Sequence, residues 1–309
     1  MRWFWRGFML NKADLYPFTK FDWRLFLSDR QVLRTSLING DFNQFLEDKL
    51  LFDEAIKDRA PVPKVFGYKD NANLHWYDGS PQDLEELIRT EKKIIVKPID
   101  GNGGKGIYTL ESREDSLLKN ERPTTMAEIE SEVMQSGKVM FCKYLEQGAF
   151  ANSLYSRTVN TVRMLTMLDP DDGEAFIASA CLRVGRLKSF PVDNISSGGL
   201  FCTINKETGR LGKATTFRSP IRWFDKHPNT GVVFQEQCIP QWDKVCREVL
   251  ELAATFPDMP HIAWDIALLD DEISIIEANG WSHGALFQVE TPLLMDPKVL
   301  NFYQHHGVI

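Results

Sequence analysis

The chain has 309 residues, of which 43% are hydrophobic and 26% charged, so it can bury a large core and is not disordered. Its formal net charge of −7 argues against a nucleic-acid partner bound through a broad basic face. It contains no run of about 18 apolar residues, the length that a membrane-spanning helix requires.

The five cysteines are scattered and show no CxxC spacing. This pattern argues against a zinc site and predicts buried free thiols. Because an odd number of cysteines is typical of a reducing compartment, we expect a cytoplasmic protein.

The first forty residues are rich in aromatic side chains and follow no clear period. The opening MRWFWRGFML is too short and too aromatic for a signal peptide. The preferred interpretation is that these aromatic side chains pack onto the protein's own body. The alternative is a peripheral membrane contact or a homodimer contact.

The next elements alternate helical and extended patterns. Apolar residues of FNQFLEDKLLFDEAIKDR recur at helical spacing, and the prolines of APVPKVFGY end that helix and begin an extended segment. Ser80 and Asp83 form a capping-box pattern that predicts a second helix. In KKIIVKPIDGNGGKGIYTL, a β-branched run, a glycine-rich stretch and GIYTL predict a strand, a loop and a second strand.

The remainder is predicted to be mostly strand. Thr125 and Glu128 form another capping box before a helix, and QWDKVCREVLELAATF is an amphipathic helix. The predicted strands are GKVMFCKYL, NTVRMLTML, EAFIASACLRVG and GGLFCTINKETGRL, the last with a hairpin turn at Glu207 to Gly209. HIAWDIALLDDEISIIEANG reads as two strands around an acidic turn.

The glycine loop GNGGKG is a candidate phosphate site. Its glycines can adopt positive φ and bring backbone N–H groups close to an anion, and Lys97 and Lys105 add positive charge. The alternative is a plain hairpin loop.

A second candidate site combines Asp265 with Glu277 and Asn279. Glu277 and Asn279 are two apart and point to one side of a strand, and a hairpin would set Asp265 beside them. Two carboxylates and an amide oxygen suit Mg²⁺ shared with substrate phosphates. The alternative is a salt-bridged strand pair at the surface.

Four further polar residues lie near these elements. Arg163, within a strand, needs an anionic partner, which is either a phosphate or a structural acid. Asn194 belongs either to a substrate loop or to a turn before a strand. His261 is interpreted as a core or edge residue, and His283 as a candidate contact for the acceptor. The sequence shows no Ser-His-Asp or Cys-His pattern, so no covalent nucleophile is predicted.

Together the glycine loop and the D…ExN set resemble the ATP-grasp superfamily. EDKLLFDEAIKDRAPVP is similar to the superfamily's helix before its small lobe, and the resemblance runs from about Phe42 onward. Within that group, VNTVRMLT, VDNISSGGLFCTIN, AWDIALL and IIEANG most resemble the sugar-transfer-associated ATP-grasp proteins of polysaccharide biosynthesis loci.

This resemblance implies an α+β, ATP-grasp fold in which two α/β lobes grip ATP behind an aromatic-rich helical N-terminal region. It implies an N-terminal region at 1–75, a small lobe at 76–140 and a large lobe at 141–309. The residues it implies for ATP are Lys49, Lys97, Gly101, Gly103, Gly104, Lys105, Gly106, Lys143, Tyr144 and Leu145. Asp265, Glu277 and Asn279 would hold Mg²⁺, and Arg163, Lys97 and Asn194 would assist catalysis.

The implied activity is a carboxylate–amine ligase that acts through an acyl phosphate. Its expected partners are a small-molecule carboxylate and an amine, with a sugar acid and an amino acid as the working guess, and no nucleic acid. Two alternatives stay open: phosphoryl transfer to a sugar or related hydroxyl, and ATP binding without turnover as a regulatory module.

Overall fold

The computed structural model of the protein describes residues 3–101, 103–114, 116–281 and 284–309. These residues form two seven-stranded antiparallel sheets with helices packed against them, as expected for an α+β protein. The first sheet has the order β2-β1-β7-β3-β4-β5-β6, and the second β12-β11-β10-β9-β8-β13-β14. The strands are β1 (Val65–Lys69), β2 (Leu74–Trp76), β3 (Lys93–Pro98), β4 (Tyr108–Arg113), β5 (Ser116–Lys119), β6 (Arg122–Thr124), β7 (Val139–Lys143), β8 (Thr161–Leu168), β9 (Ala175–Val184), β10 (Leu200–Ile204), β11 (Leu211–Thr215), β12 (Trp223–Phe224), β13 (His261–Leu268) and β14 (Ile273–Asn279).

The helices are distributed before, between and after the strands. They are α1 (Lys12–Leu15), α2 (Asp29–Arg34), α3 (Phe42–Glu47), α4 (Lys49–Ile56), α5 (Leu84–Glu91), α6 (Met126–Gln135), α7 (Ala149–Leu154), α8 (Trp242–Ala254) and α9 (Pro297–His305). Short 3₁₀ helices lie at Phe4–Arg6, Trp23–Leu25, Thr35–Leu37, Ile195–Ser197, Phe234–Glu236, Gly284–Gln288 and Leu293–Met295. Among the described residues, no helix is both long and apolar enough to span a membrane.

The first sheet contains the predicted strand, loop and strand. β3 pairs antiparallel with β4, with Ile94 opposite Leu110, which confirms the prediction for this segment. Ile94 and Val96 pack into a core with α5 and α6. Because side chains alternate along a strand, Ile95 and Lys97 lie on the opposite face.

The second sheet is covered on both faces. Val162 and Met164 of β8 belong to a core that includes α8. The alternate residues Leu165 and Met167 pack against the N-terminal region and α9. Arg163 therefore shares the face of Leu165 and Met167, where the covering segments leave room for a cleft.

The N-terminal region packs largely onto this second sheet. Phe8, Tyr16 and Phe26 are buried in the same core as Phe302 of α9. The interpretation that the N-terminal aromatic side chains pack onto the protein's own body is confirmed for these residues. Phe4 and Trp5 are exposed.

Two helix predictions were wrong in detail. The helix expected over 42–59 divides at Asp48, whose carboxylate accepts hydrogen bonds from the backbone N–H groups of Leu50 and Leu51 and so caps α4. The next helix begins after Asp83 rather than Ser80, because Asp83 is the residue that caps Glu86 N. The capping box of Thr125 and Glu128 is confirmed.

The cysteine and domain predictions met different outcomes. All five cysteines are free; Cys142, Cys181 and Cys202 are buried, whereas Cys238 is exposed, so the expectation of burial was wrong there.

The first sheet spans 65–143 and is thus wider than the lobe expected at 76–140. The division of the chain into three parts stays a prediction.

Candidate active site

A cavity of about 210 Å³ lies between the two sheets. Its lining comes from the glycine loop after β3, from the loop between β9 and β10, and from strands β8, β9, β13 and β14. The predicted site residues that line it are Lys49, Gly101, Gly103, Gly104, Lys105, Tyr144, Arg163, Asn194, Asp265, Glu277 and Asn279. The fold therefore brings together the two groups of residues that the sequence predicted to act on one ligand.

The glycine loop closes one side of the cavity. Gly103, Gly104 and Gly106 have φ of +77°, +70° and +75°, a region that residues with a side chain rarely adopt. A Cβ atom at Gly104 would lie 3.2 Å from Cγ2 of Val192, in the loop between β9 and β10. The tip of the glycine loop thus rests directly against the second sheet's lobe.

Lys49 connects the two lobes at the other side of the loop. Its Nζ donates to the backbone carbonyl of Gly101 at 2.6 Å and lies 3.9 Å from Oε1 of Glu277. It occupies the first position of α4 because the chain turns at Asp48, and it is buried. A buried ammonium between a loop carbonyl and a carboxylate is placed to contact a phosphate in the same cavity.

The three predicted metal ligands meet through strand pairing. β13 and β14 form a hairpin in which Asp265 is opposite Glu277 and Ala263 is opposite Asn279. Glu277 and Asn279 are two residues apart and so lie on one face. All three line the cavity, as the hairpin pattern predicted.

Asp265 is held between two arginines. Arg163, its neighbour on β8, donates from Nε and Nη2 to the two carboxylate oxygens, both at 2.7 Å, and Arg183 Nη2 lies 3.0 Å from Oδ2. Burial raises the pKa of the Asp265 carboxyl, and the two guanidinium groups outweigh this and lower it below the ordinary value. The structural acid considered as one partner for Arg163 is therefore Asp265.

Sequence reasoning missed Asp193, which extends this network. Its Oδ2 accepts from the N–H and hydroxyl groups of Thr161 and lies 3.5 Å from Arg183 Nε. Burial raises the pKa of the Asp193 carboxyl, and Arg183 and Thr161 oppose that shift only in part. The available signal was the pair of charged residues in apolar surroundings, Arg183 in CLRVG and Asp193 in FPVDN, since buried charges need partners.

The donor atoms fit Mg²⁺ shared with a phosphate ligand. Among the described residues, no group of three His, Cys, Asp or Glu side chains could hold a metal by itself. Nζ of Lys49 lies 3.9 Å from Oε1 of Glu277, and Glu277 and Asn279 both line the cavity, where a carboxylate and an amide oxygen can bind a cation. Magnesium in proteins is typically bound by oxygen ligands that include only a few carboxylates, and substrate phosphates and water complete its coordination.

Several predicted ATP contacts lie outside the cavity lining. Lys97, Gly106, Lys143 and Leu145 are not among the lining residues. The charge of Lys97 acts on Asp53 of α4, whose pKa is raised to about 6, mainly by burial and against the effect of Lys97. Tyr144 does line the cavity, and Lys93 Nζ lies 3.9 Å from its ring centre.

Asn194 lies in the turn that the sequence offered as one interpretation, and its role in a substrate loop stays a prediction. Its side chain accepts from Ser196 N at 2.7 Å and so caps the 3₁₀ helix Ile195–Ser197, yet it also lines the cavity. Gly199 closes the turn, because a Cβ there would lie 2.1 Å from the carbonyl oxygen of Asp193.

The two histidines have different outcomes. His261 is fully buried, with Nδ1 3.2 Å from Gly280 O and Nε2 3.3 Å from the Tyr303 hydroxyl, which confirms it as a core residue. His283, the candidate acceptor contact, and Asn102 of the glycine loop lie outside the described residues.

Comparison with known protein families gives a match over most of the chain. The sequence model of the family described as sugar-transfer associated ATP-grasp matches residues 31–296. No curated protein matches the chain.

Three solved structures illustrate remote likenesses to this chain. The ADP complex of N5-carboxyaminoimidazole ribonucleotide synthetase is 13% identical with a TM-score of 0.44, over 78% of this chain and 46% of that one. D-alanine-D-alanine ligase from Helicobacter pylori is 10% identical with a TM-score of 0.44, over 84% and 61%. D-alanyl-alanine synthetase A from Vibrio cholerae is 11% identical with a TM-score of 0.46, over 84% and 66%. The chain spans less than two thirds of the length of the first two.

Proposed function

The chain belongs to the sugar-transfer-associated ATP-grasp family, and we propose on this premise that it is an ATP-dependent carboxylate–amine ligase. The family match confirms the predicted ATP-grasp fold. The observation that carries the proposal is the meeting of a glycine loop, a buried arginine and an Asp, Glu and Asn set around one cavity.

In the proposed reaction, an oxygen of the carboxylate substrate attacks the γ-phosphorus of ATP and ADP leaves. An amine then attacks the carbonyl carbon of the acyl phosphate, loses a proton and releases phosphate, so that an amide bond forms. The proposed substrates are a sugar acid and an amino acid, in the setting of polysaccharide biosynthesis. The odd number of cysteines supports a cytoplasmic setting.

Residues of the cavity, together with Lys97 on the strand that leads into the glycine loop, have the following roles in this proposal. Glu277 and Asn279 would hold Mg²⁺, which when bound neutralises charge on the phosphates. Asp265 would join them as a ligand by exchanging one of its contacts with Arg163 and Arg183 for the metal. Nη1 of Arg163, the nitrogen that does not bond Asp265, would stabilise the transferring phosphoryl group. Lys49, Lys97 and the backbone N–H groups of the glycine loop would contact the phosphates, and Asn194 would position the acceptor.

Closure of the glycine loop would exclude water from the acyl phosphate. The cavity of about 210 Å³ is smaller than the roughly 300–1,000 Å³ usual for ligand sites. Entry of a nucleotide would therefore require the glycine loop to open away from Val192 and then to close over the bound ligand.

The proposal is tested with Mg-ATP and pools of sugar acids and amino acids, by following ADP, free phosphate and product mass together. ADP, phosphate and an adduct lighter by one water than the two substrates combined support the ligase. ADP with a product heavier by a phosphoryl group would identify a kinase. ATP binding without turnover of any pool would favour the regulatory module and contradict the ligase.

A further inference from the structure

The N-terminal turn presents a compact group of exposed apolar side chains. Phe4, Trp5, Met9 and Leu10 are 65%, 83%, 61% and 66% exposed. They lie within seven consecutive residues, on the 3₁₀ helix Phe4–Arg6 and the turn that follows it. We name these four residues the apical patch; exposed apolar groups this close together are typical of an interaction surface.

The turn that carries the apical patch is fixed to the body of the protein. Trp3 stacks on Phe18 with ring centres 4.1 Å apart, and Phe8 is buried in the second sheet's core. Gly7, at φ +83°, reverses the chain, and its carbonyl accepts from Asp29 N at 3.0 Å. The exposed side chains are thus held outward by a packed base, rather than lying on a loose end.

The charge of this region differs in sign from that of the rest of the chain. Residues 1–34 contain seven Lys and Arg against three Asp and Glu, although the whole chain has 36 against 43. The guanidinium of Arg6 lies 5.2 Å from the Trp3 ring centre and 4.6 Å from that of Trp23. Its Nη1 is buried and makes no hydrogen bond within the described residues, whereas Arg30 of α2 is exposed, with its Cδ 3.9 Å from the point where a Cβ on Gly7 would lie.

We propose that the apical patch docks on an anionic lipid surface. Trp and Phe side chains favour the boundary between headgroups and acyl chains, and nearby Arg and Lys are attracted to anionic headgroups. A protein partner or a second copy would also cover the apolar side chains. The local excess of basic residues on an acidic protein is the observation that favours anionic lipid. This inference is independent of the proposed ligase activity.

The test is co-sedimentation of the full chain with vesicles of phosphatidylcholine and phosphatidylglycerol in equal parts, and with vesicles of phosphatidylcholine alone. We expect binding to the mixed vesicles, weakened at least fivefold by salt because surface charges are screened. The double variant Phe4→Ser, Trp5→Ser is expected to reduce the partition coefficient about tenfold. Arg6→Gln and Arg30→Gln are expected to reduce binding to the mixed vesicles and to leave any binding to vesicles of phosphatidylcholine alone unchanged.

The matched control is Trp223→Ser, which removes an exposed tryptophan from β12. It should bind vesicles as the unaltered chain does, and circular dichroism should show that all variants are folded. Equal binding by the double variant and the unaltered chain would overturn the proposal. The absence of binding to both kinds of vesicle would also overturn it. Concentration-dependent self-association that the double variant abolishes would overturn it as well, and would assign the apical patch to a contact with a second copy.

Discussion

At the scale of single residues, Asp265 and Glu277 face each other across β13 and β14 but have different surroundings. Asp265 is buried and bonded by Arg163 and Arg183, whereas Glu277 is half-buried and has Lys49 at 3.9 Å. Neutralising Asp265 would leave two buried guanidinium groups without their shared counter-charge.

We therefore expect Asp265→Asn to lower the free energy of unfolding by about 3 kcal/mol, the scale of breaking a buried ion pair. Urea denaturation measures this, with Asp271→Asn in the exposed turn of the same hairpin as the control. A loss for Asp265→Asn no greater than that of the control would show that the two arginines do not depend on this carboxylate.

Glu277→Gln is expected to separate function from stability. Because few contacts hold Glu277, the variant should keep its free energy of unfolding within about 0.5 kcal/mol. If its carboxylate holds the magnesium of the proposed reaction, kcat for ATP-dependent product formation should fall about hundredfold. Glu272→Gln in the turn of the same hairpin is the control, and full activity in Glu277→Gln would remove this residue from the proposed metal site.

His261 predicts a pH dependence of stability. Burial lowers its pKa to about 4, against an ordinary value of 6.5, although Gly280 O favours the charged form. As the pH falls, the imidazole of His261 therefore binds a proton in the unfolded chain before it does so in the folded chain. The stability that neutral His261 contributes above pH 6.5 is thus lost progressively toward pH 4.

The expected loss attributable to His261 is up to about 3 kcal/mol between these pH values. It is measured by urea unfolding at several pH values for the unaltered chain and for His261→Gln, whose stability should fall less steeply over that interval. The exposed His305 of α9 provides the control variant His305→Gln. Parallel pH curves for the unaltered chain and His261→Gln would contradict this assignment.

Charged residues in apolar strands were the part of the site that could be read from the sequence. Arg163 and Asp265 stood out because a buried charge requires a partner. The pairing of these two residues depends on the contact between β8 and β13, which are separated by about a hundred residues and carry no shared sequence signal. Asp193 was missed because an acid in a turn is usually solvated, so its position in the apolar stretch FPVDN was not taken as a sign of burial.

At the scale of elements, the glycine loop offers a comparison between neighbours. Gly103 and Gly104 both have positive φ, but a Cβ at Gly103 would meet open space whereas one at Gly104 would contact Val192 and Asn194. Alanine at either position strains the backbone, and at Gly104 it also crowds the lobe against which the loop closes.

We expect Gly104→Ala to raise the KM for ATP about tenfold and Gly103→Ala about threefold, because only the first obstructs closure. Steady-state kinetics measures both. Gly173→Ala, at φ +77° with open space in the turn between β8 and β9, has the same backbone strain outside the cavity and should leave KM unchanged. A larger effect at Gly103 than at Gly104 would contradict closure of the loop on Val192.

The break between α3 and α4 shows what periodicity cannot predict. The apolar pattern of 42–59 continues through the break, so it predicted one helix. Asp48 competes with the helical backbone by accepting two N–H groups with its own side chain, which ends one helix and starts the next. The break matters for the site, since it directs Lys49 toward Gly101.

At the scale of the whole molecule, local pairings could be predicted and distant ones could not. The hairpin of β13 and β14 and the strand, loop and strand of β3 and β4 follow from short sequence patterns. The insertion of β7 between β1 and β3, and of β8 between β9 and β13, brings together segments far apart in sequence. Such contacts depend on the packing of both sheet faces, which a single sequence does not specify.

The arrangement of the two sheets makes the cavity a meeting point of distant segments. The glycine loop comes from the first sheet, and Arg163, Asp265, Glu277 and Asn279 come from the second. The central claim is that this cavity uses ATP to activate a carboxylate as an acyl phosphate.

The most direct test of that claim uses an acid substrate in which both carboxylate oxygens are a heavy isotope. In the proposed reaction the attacking carboxylate oxygen stays on phosphorus when the amine displaces it, so each released phosphate should carry one labelled oxygen. Mass spectrometry of the phosphate measures this, with Glu277→Gln as the control for its source. Unlabelled phosphate accompanying amide formation would contradict the account.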